Sequence, residues 1–280
     1  QTLVLKGRRL VPLPEGMILG IPTRILPLAT SRLFSWIGKL RMLMETRVPV
    51  GTQEDESIGN FVRRRLGNEA CEKLAAPLLS GIHAGDPEKL SIHATFPRLV
   101  ALEREHGSLV RGVMKMPRPP KGAPKRSPFV TLRGGLREIV DAIEPLIRPS
   151  TRLRTAVQSI ARTGSDWTLR SDDGREFQAP ALVCTAPAYV AADWLRSIDS
   201  ELASELDSIR YVSTANVFLA WHAAACPVLL NASGFLIPPG ENRPILACTW
   251  TSCKFDGRGP KGKIVFRLFF GGARKVEQVG

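Results

Sequence analysis

Residues Gly257-Arg258-Gly259-Pro260-Lys261-Gly262 match the spacing G-x-G-x-x-G, the pattern of loops that cradle a dinucleotide pyrophosphate. Such a loop works only where it leaves a strand and opens a helix, because the helix N-terminus supplies amides and a positive dipole end. Here Phe255-Asp256 precede it as a turn and Pro260 removes one amide donor. The following run "KIVFRLFF" has the β-branched and aromatic composition of a strand. The acidic residue expected about 20 residues further on would be Glu277, in a polar tail. The match therefore reads as a turn between strands. A second pair, Gly134-Gly135 in "TLRGGLREIVDAI", does open a helical pattern and is the better phosphate candidate. Two glycines also suit a close helix contact, so both readings stand.

Other chemistry is thin. Cys71, Cys184, Cys226, Cys248 and Cys253 are odd in number and contain no C-x-x-C pair, which suits free thiols in a reducing compartment. His83, His93, His106 and His222 are too far apart for a zinc-binding spacing, so no metal ligand is named. There is no G-x-S-x-G elbow and no G-x-x-x-x-G-K-[ST] loop, which argues against α/β-hydrolase and P-loop readings. No catalytic acid–base residue is singled out. The formal net charge of +13 fits nucleic acid, an anionic membrane surface, an acidic small molecule or simply a solvated basic surface. The chain begins at Gln1 without a signal-peptide pattern, and an internal fragment is the working expectation.

The elements that must position these residues follow from periodicity. "TLVLKGRRLVPLP" alternates on both sides of Lys6-Gly7 and predicts a β-hairpin. "GMILGIPTRILPLATSRLFSWIGKLRMLM" is apolar but interrupted by Pro22, Pro27, Arg24 and Arg32. It fits a segment in a membrane interface as well as an amphipathic helix packed on its own domain. Residues 55–106 read as helical. Asp55 is expected to cap a helix with Ile58, Phe61, Val62 and Leu66 on one face, ended by Gly67. Asn68 is expected to cap the next, closed by Gly81, and Asp86-Pro87 to start another. The Pro-rich basic run between Lys115 and Pro128 reads as an exposed connection. Then come a helix bearing Leu136, Ile139, Val140 and Ile143, a strand near 156–160, a hairpin around Asp172-Asp173-Gly174, and a buried strand over 181–186 stopped by Pro187. Helices are expected over 188–208 and four strands after them.

Several segments, in order, resemble one family: the FAD-dependent protoporphyrinogen and coproporphyrinogen oxidases of heme synthesis, within the flavin amine-oxidase superfamily. They are "DESIGNFVRRRLG", "PLLSGIHAGDPEKLSIHATFPRL", "LEREHGSLVRG", "TLRGGL", "CTAPAYVAA" and "ILACTWTSCKF". The resemblance implies a mixed α+β and α/β chain, a partial FAD-linked amine-oxidase-type fold with a β-sheet substrate domain and an inserted helical domain. It maps 1–47 to a substrate-domain hairpin and interfacial segment, and 48–127 to a helical, membrane-associated domain. The middle FAD segment would be 128–187, and 188–280 the β-rich substrate domain.

By the same resemblance, Val157 would meet the adenine end of FAD, Ala186 and Pro187 the flavin, and Gly134 and Gly135 the helix start of that domain. Leu78 and Gly234, Phe235 and Leu236 would line the substrate pocket. The arginine with which some members hold a propionate aligns near Thr2, so no carboxylate anchor is named. The implied reaction oxidises a porphyrinogen to the porphyrin with FAD and O2, in a cytoplasmic, peripherally membrane-bound enzyme without nucleic acid, with a homodimer left open. The family's dinucleotide-binding segment would precede Gln1, so the chain alone is expected not to retain FAD. The alternatives are an amine oxidase, a carotenoid desaturase, or a basic module for membranes or nucleic acid.

Overall fold

The computed structural model describes residues 1–18, 20–117, 130–226, 231–275 and 279. β1 (Thr2–Lys6) and β2 (Arg9–Pro12) form the expected hairpin, with Gly7 at φ +61° taking the first turn position. A ribbon of β3 (Met17–Ile18) and β4 (Ile21–Pro22) leads into α1 (Ile25–Thr30), α2 (Trp36–Leu43) and a 3₁₀ turn, Met44–Arg47. The helical block continues with α3 (Ile58–Leu66), α4 (Asn68–Ala70), a π-helical turn Cys71–Ala75, α5 (Ala76–His83), α6 (Ile92–Thr95), α7 (Pro97–His106) and α8 (Leu109–Lys115). Next come α9 (Arg137–Ile147), β5 (Val157–Thr163), β6 (Asp166–Ser171), β7 (Glu176–Ala179), α10 (Ala188–Leu195) and α11 (Ser200–Ser208). The chain ends in β8 (Thr214–His222), β9 (Gly234–Leu236), β10 (Ala247–Trp250), α12 (Thr251–Lys254) and β11 (Lys263–Gly271).

These elements form two compact units: Gln1–Pro124 with Val212–Gly280, and Lys125–Tyr211. The first holds a six-stranded sheet in the order β2-β1-β9-β10-β11-β8, antiparallel except for β1 beside β9, together with the helical block. The second holds α9, the meander β5-β6-β7, α10 and α11. The division differs from the sequence-based map, because α10 and α11 group with β5–β7 and not with the large sheet.

The helical block has a continuous apolar core, including Leu28, Met42, Ile58, Phe61, Leu66, Ile92 and Leu109. Inside it sits an ionic cluster. Glu45 and Arg65 have no solvent exposure and pair with each other, and Arg65 also reaches Glu103 at 3.3 Å. Glu45 accepts hydrogen bonds from Arg65 Nε (2.8 Å), Ser108 Oγ (2.5 Å) and the backbone amides of Leu109 (2.8 Å) and Val110 (3.3 Å). One carboxylate thus caps the start of α8 and neutralises an arginine of α3. Burial works against ionisation of Glu103, but its bonds to Arg64 hold its carboxyl below the ordinary value.

Several local expectations are corrected. Ser57, not Asp55, caps α3 by accepting from the Asn60 amide at 3.1 Å; Asp55 instead accepts from the amides of Glu56 and His93. α5 runs past Gly81 to His83 and ends at Ala84 in the left-handed conformation, φ +50°. Asp86-Pro87 opens a turn, and the next helix begins behind Ser91. Residues 181–186 are mostly exposed and form no strand. Their composition suits a strand, but among the described residues none pairs with them, and a strand exists only through its partner. The expected connection between Lys115 and Pro128 falls largely outside the described residues. Gly257–Gly262 contains a turn, closed by Lys263 N to Pro260 O at 3.1 Å, but it enters β11 from the short helix α12 and not directly from a strand. No helix among the described residues is long and apolar enough to cross a membrane, and no group of side chains there could hold a metal.

Candidate functional site

The five candidate cofactor residues all fall in the second unit. Gly135 is buried at φ +108° and tightens the chain before α9 through its amide to Leu132 O, 3.2 Å. The Gly134 amide donates to the Glu138 carboxylate four residues on, so it is already committed and not free for a phosphate. Val157 opens β5 opposite Ser171, and the entry is fixed by Asp172 N to Ala156 O (2.9 Å) and Ala156 N to Asp172 Oδ1 (3.2 Å). Pro187 precedes α10, its carbonyl accepting from Val190 and Ala191, each at 3.0 Å. Ala186 stands just before it. The Ala188 amide is held by Tyr211 Oη at 2.8 Å, and Tyr211 packs edge-on against Tyr189.

α9 predicts and shows one apolar stripe, yet none of its residues is buried. Leu136, Ile139, Val140 and Ile143 are exposed, and Leu146 is 80% accessible. Val183, in the run with no partner strand, is 86% accessible. An amphipathic helix left uncovered on its apolar side marks a surface that belongs against something else.

The candidate substrate residues fall in the first unit. Strand registers define one face of its sheet. Leu236 lies opposite Val4 and Ala247; Arg267 lies opposite Thr249 and Phe218; Phe269 lies opposite Ala247 and Asn216. α5, which carries Leu78, packs on this face where Gly81 approaches Leu236: a Cβ at Gly81 would stand 3.1 Å from Leu236 Cδ2. Leu78 and Leu236 are both half-buried. Phe235, one residue off in a two-residue period, joins the opposite face and packs with Leu3, Cys248 and Trp250. Burial there pushes the Cys248 thiol up to about 11. Gly234 is buried at φ +138° and presses on β10. The structure therefore gathers Leu78 and Leu236 on one side of the sheet and sends Phe235 to the other.

Sequence reasoning missed Arg267. It stands mid-strand on β11, with its guanidinium 4.6 Å from the Phe269 ring and 5.5 Å from that of Phe218. Its Nε donates to Asn216 Oδ1 at 3.0 Å. A lone cation between apolar and aromatic residues in "KIVFRLFF" was the available signal. By contrast, a cleft of about 540 Å³ beside Lys6, Arg63, Lys73 and Arg274 offers no open cation: Arg63 is paired with Glu88, Lys73 with Glu69, Arg274 with Asp86, and Lys6 binds backbone carbonyls.

Residues 5–279 match the flavin containing amine oxidoreductases, and the chain belongs to that family. It is 38% identical to the coproporphyrinogen III oxidase of Bacillus subtilis (strain 168) over 98% of this chain and 59% of that protein. It is 31% identical to the chloroplastic protoporphyrinogen oxidase of Nicotiana tabacum, over 94% of this chain and 52% of that one. A crystal structure from Exiguobacterium sp. 255-15, described as a candidate protoporphyrinogen oxidase, superposes with a TM-score of 0.82 at 28% identity, covering 99% of this chain and 60% of that one. Reduced UDP-galactopyranose mutase shares the fold at a TM-score of 0.63 and 16% identity, covering 98% of this chain and 57% of that one. The chain thus spans about three fifths of the length of the bacterial coproporphyrinogen III oxidases it matches.

Proposed function

We propose that the chain is the substrate-binding and helical portion, with one part of the cofactor domain, of an FAD-dependent oxidase that converts coproporphyrinogen III or protoporphyrinogen IX to the porphyrin for heme synthesis. The observation that carries this reading is kinship with oxidases named for these substrates along almost the whole chain. The fit to FAD is partial. Val157 offers backbone at a strand end for the adenine, Ala186 and Pro187 lie before α10, and Gly135 makes a tight turn. Gly134 has no free amide for a phosphate. The uncovered stripe of α9 supports a cofactor domain completed by further segments.

Bound FAD would supply the two-electron redox chemistry that links oxidation of a porphyrinogen ring carbon to reduction of O2. The residues of this chain supply the rest. Leu78 and Leu236 offer an apolar wall that orients the macrocycle and keeps water from it, while the pyrrole proton leaves to solvent. No acid–base pair is required. In the intact enzyme containing this chain, porphyrin fluorescence is expected to rise from coproporphyrinogen III faster than the non-enzymatic rate, and the isolated chain is expected to show no flavin absorbance. Activity confined to amines or carotenoids would overturn the reading.

The α1–α2 surface supports attachment to a membrane from the cytoplasmic side. Leu26, Trp36, Ile37 and Leu40 are exposed, Ile37 to 83%, beside Arg24 and Arg32, and Lys39 lies 4.2 Å over the Trp36 ring. Replacing Trp36, Ile37 and Leu40 together by Ser is expected to abolish co-sedimentation with anionic vesicles. Retained binding would show another attachment surface, and conversion of a dimer to monomer would assign the patch to a second copy instead.

A further inference from the structure

We infer that Arg267 is a carboxylate-binding residue at the β11–β8 end of the sheet face that carries Leu236, taking an acidic side arm of a flat substrate whose apolar ring meets the neighbouring Phe218 and Phe269. The inference rests on the porphyrinogen reading above and adds to it the recognition of the substrate's acid groups.

The six strands of this sheet contain no Asp or Glu. Arg63, Arg64, Arg65 and Arg274 of the same unit are all ion-paired, whereas Arg267 has a single neutral acceptor among the described residues. Asn216 takes only its Nε, which fixes the guanidinium plane while leaving both terminal amino groups for a planar, two-oxygen acceptor. Stacking on Phe269 and Phe218 holds the fork in place before any ligand arrives, so little side-chain freedom is lost on binding. Arg267 is half-buried and Phe218 is 60% accessible, so the fork and its aromatic flank are both within reach of a ligand. A cation kept among apolar side chains, with no carboxylate in ion-pair distance among the described residues, is poised for an anion that brings its own apolar body. A porphyrinogen, a largely apolar ring with propionate arms, has that composition, and a tetracarboxylate offers more such arms than a dicarboxylate.

The test uses the intact flavoenzyme containing this chain and its Arg267→Met and Arg267→Lys variants, with folding checked by circular dichroism and flavin content. Loss of a charged hydrogen-bond pair is worth about a 10- to 100-fold change. Arg267→Met is therefore expected to raise KM for coproporphyrinogen III by that factor with kcat little changed, and Arg267→Lys to recover part of it. A folded Arg267→Met enzyme with wild-type KM overturns the inference. Fluorescence-quenching titrations with coproporphyrin III and with its methyl ester in detergent run alongside. Weakening confined to the free acid supports Arg267 as the anchor, and equal weakening of both overturns it. Should the wild-type enzyme oxidise no porphyrinogen, the substrate reading fails, and these titrations still decide whether Arg267 binds a carboxylate.

Discussion

Glu45→Ala is expected to destabilise the protein by about 3–5 kcal/mol, the usual result of stripping one partner from a buried ion pair. In a unit of this size that corresponds to a fall of roughly 10 °C in Tm, to be read by circular dichroism at the helical band. The carboxylate satisfies Arg65, the Ser108 hydroxyl and two amides at the start of α8 at once. Without it, a fully buried guanidinium keeps Glu103 at 3.3 Å and the backbone carbonyls of residue 45, Val48, Pro49 and Gly107, with no carboxylate at Nε. Glu45→Gln should fall between, because the amide keeps shape and accepts one set of bonds but gives up the charge. Glu45→Leu with Arg65→Met should lose less than the two single changes together, since no uncompensated charge is then left. A Glu45→Ala protein of wild-type Tm would mean that water reaches Arg65 and the cluster is not the tie that holds α3 to α8.

That cluster was invisible in the sequence. Arg63-Arg64-Arg65 on a short helix looks like a solvated basic edge, and Glu45 and Glu103 lie 20 and 38 positions away from Arg65. Only the tertiary fold turns Arg65 inward. What could be read was whatever a local pattern determines. The aromatic and β-branched runs gave the strands β8, β10 and β11, and the stripe Leu136, Ile139, Val140 and Ile143 gave α9. Errors arose where a neighbour decides. Residues 181–186 have strand composition but no partner beside them among the described residues. Gly81 reads as a helix end, yet it lies within α5, where the missing side chain lets the helix approach Leu236. For the candidate site, a contiguous triplet Gly234-Phe235-Leu236 was grouped by resemblance, whereas the pleat separates Phe235 from Leu236 by the thickness of the sheet. Arg267 went unnoticed because a single arginine in a strand carries no spacing signal. Its meaning lies in the aromatic side chains on either side of it and in the absence of acid from six strands.

Gly234→Ala is expected to cost about 3 kcal/mol or more, because it combines a glycine-only backbone conformation with a steric conflict that flexible side chains cannot relieve. Gly234 sits at φ +138°, and an added Cβ would stand 2.2 Å from the Cys248 carbonyl oxygen and 2.8 Å from Thr249 Cα. Both are backbone atoms of β10, directly across from Gly234 in the ladder. β9 is the strand that joins the N-terminal hairpin to the rest of the sheet, so forcing it away from β10 separates β2-β1 from β10-β11-β8. Gly257→Ala is the control. Gly257 also has a positive φ, +72°, but nothing lies within 4 Å of its Cβ position, so only the left-handed strain of about 1–2 kcal/mol remains. Urea midpoints followed through the buried Trp250 on β10 should show the large loss for Gly234→Ala and the small one for Gly257→Ala. Equal midpoints would mean that β9 can shift without penalty. The comparison also guards the functional reading: lost porphyrinogen oxidation in Gly234→Ala would follow from a broken sheet before any substrate contact is touched, whereas Arg267→Met leaves the backbone of that sheet alone.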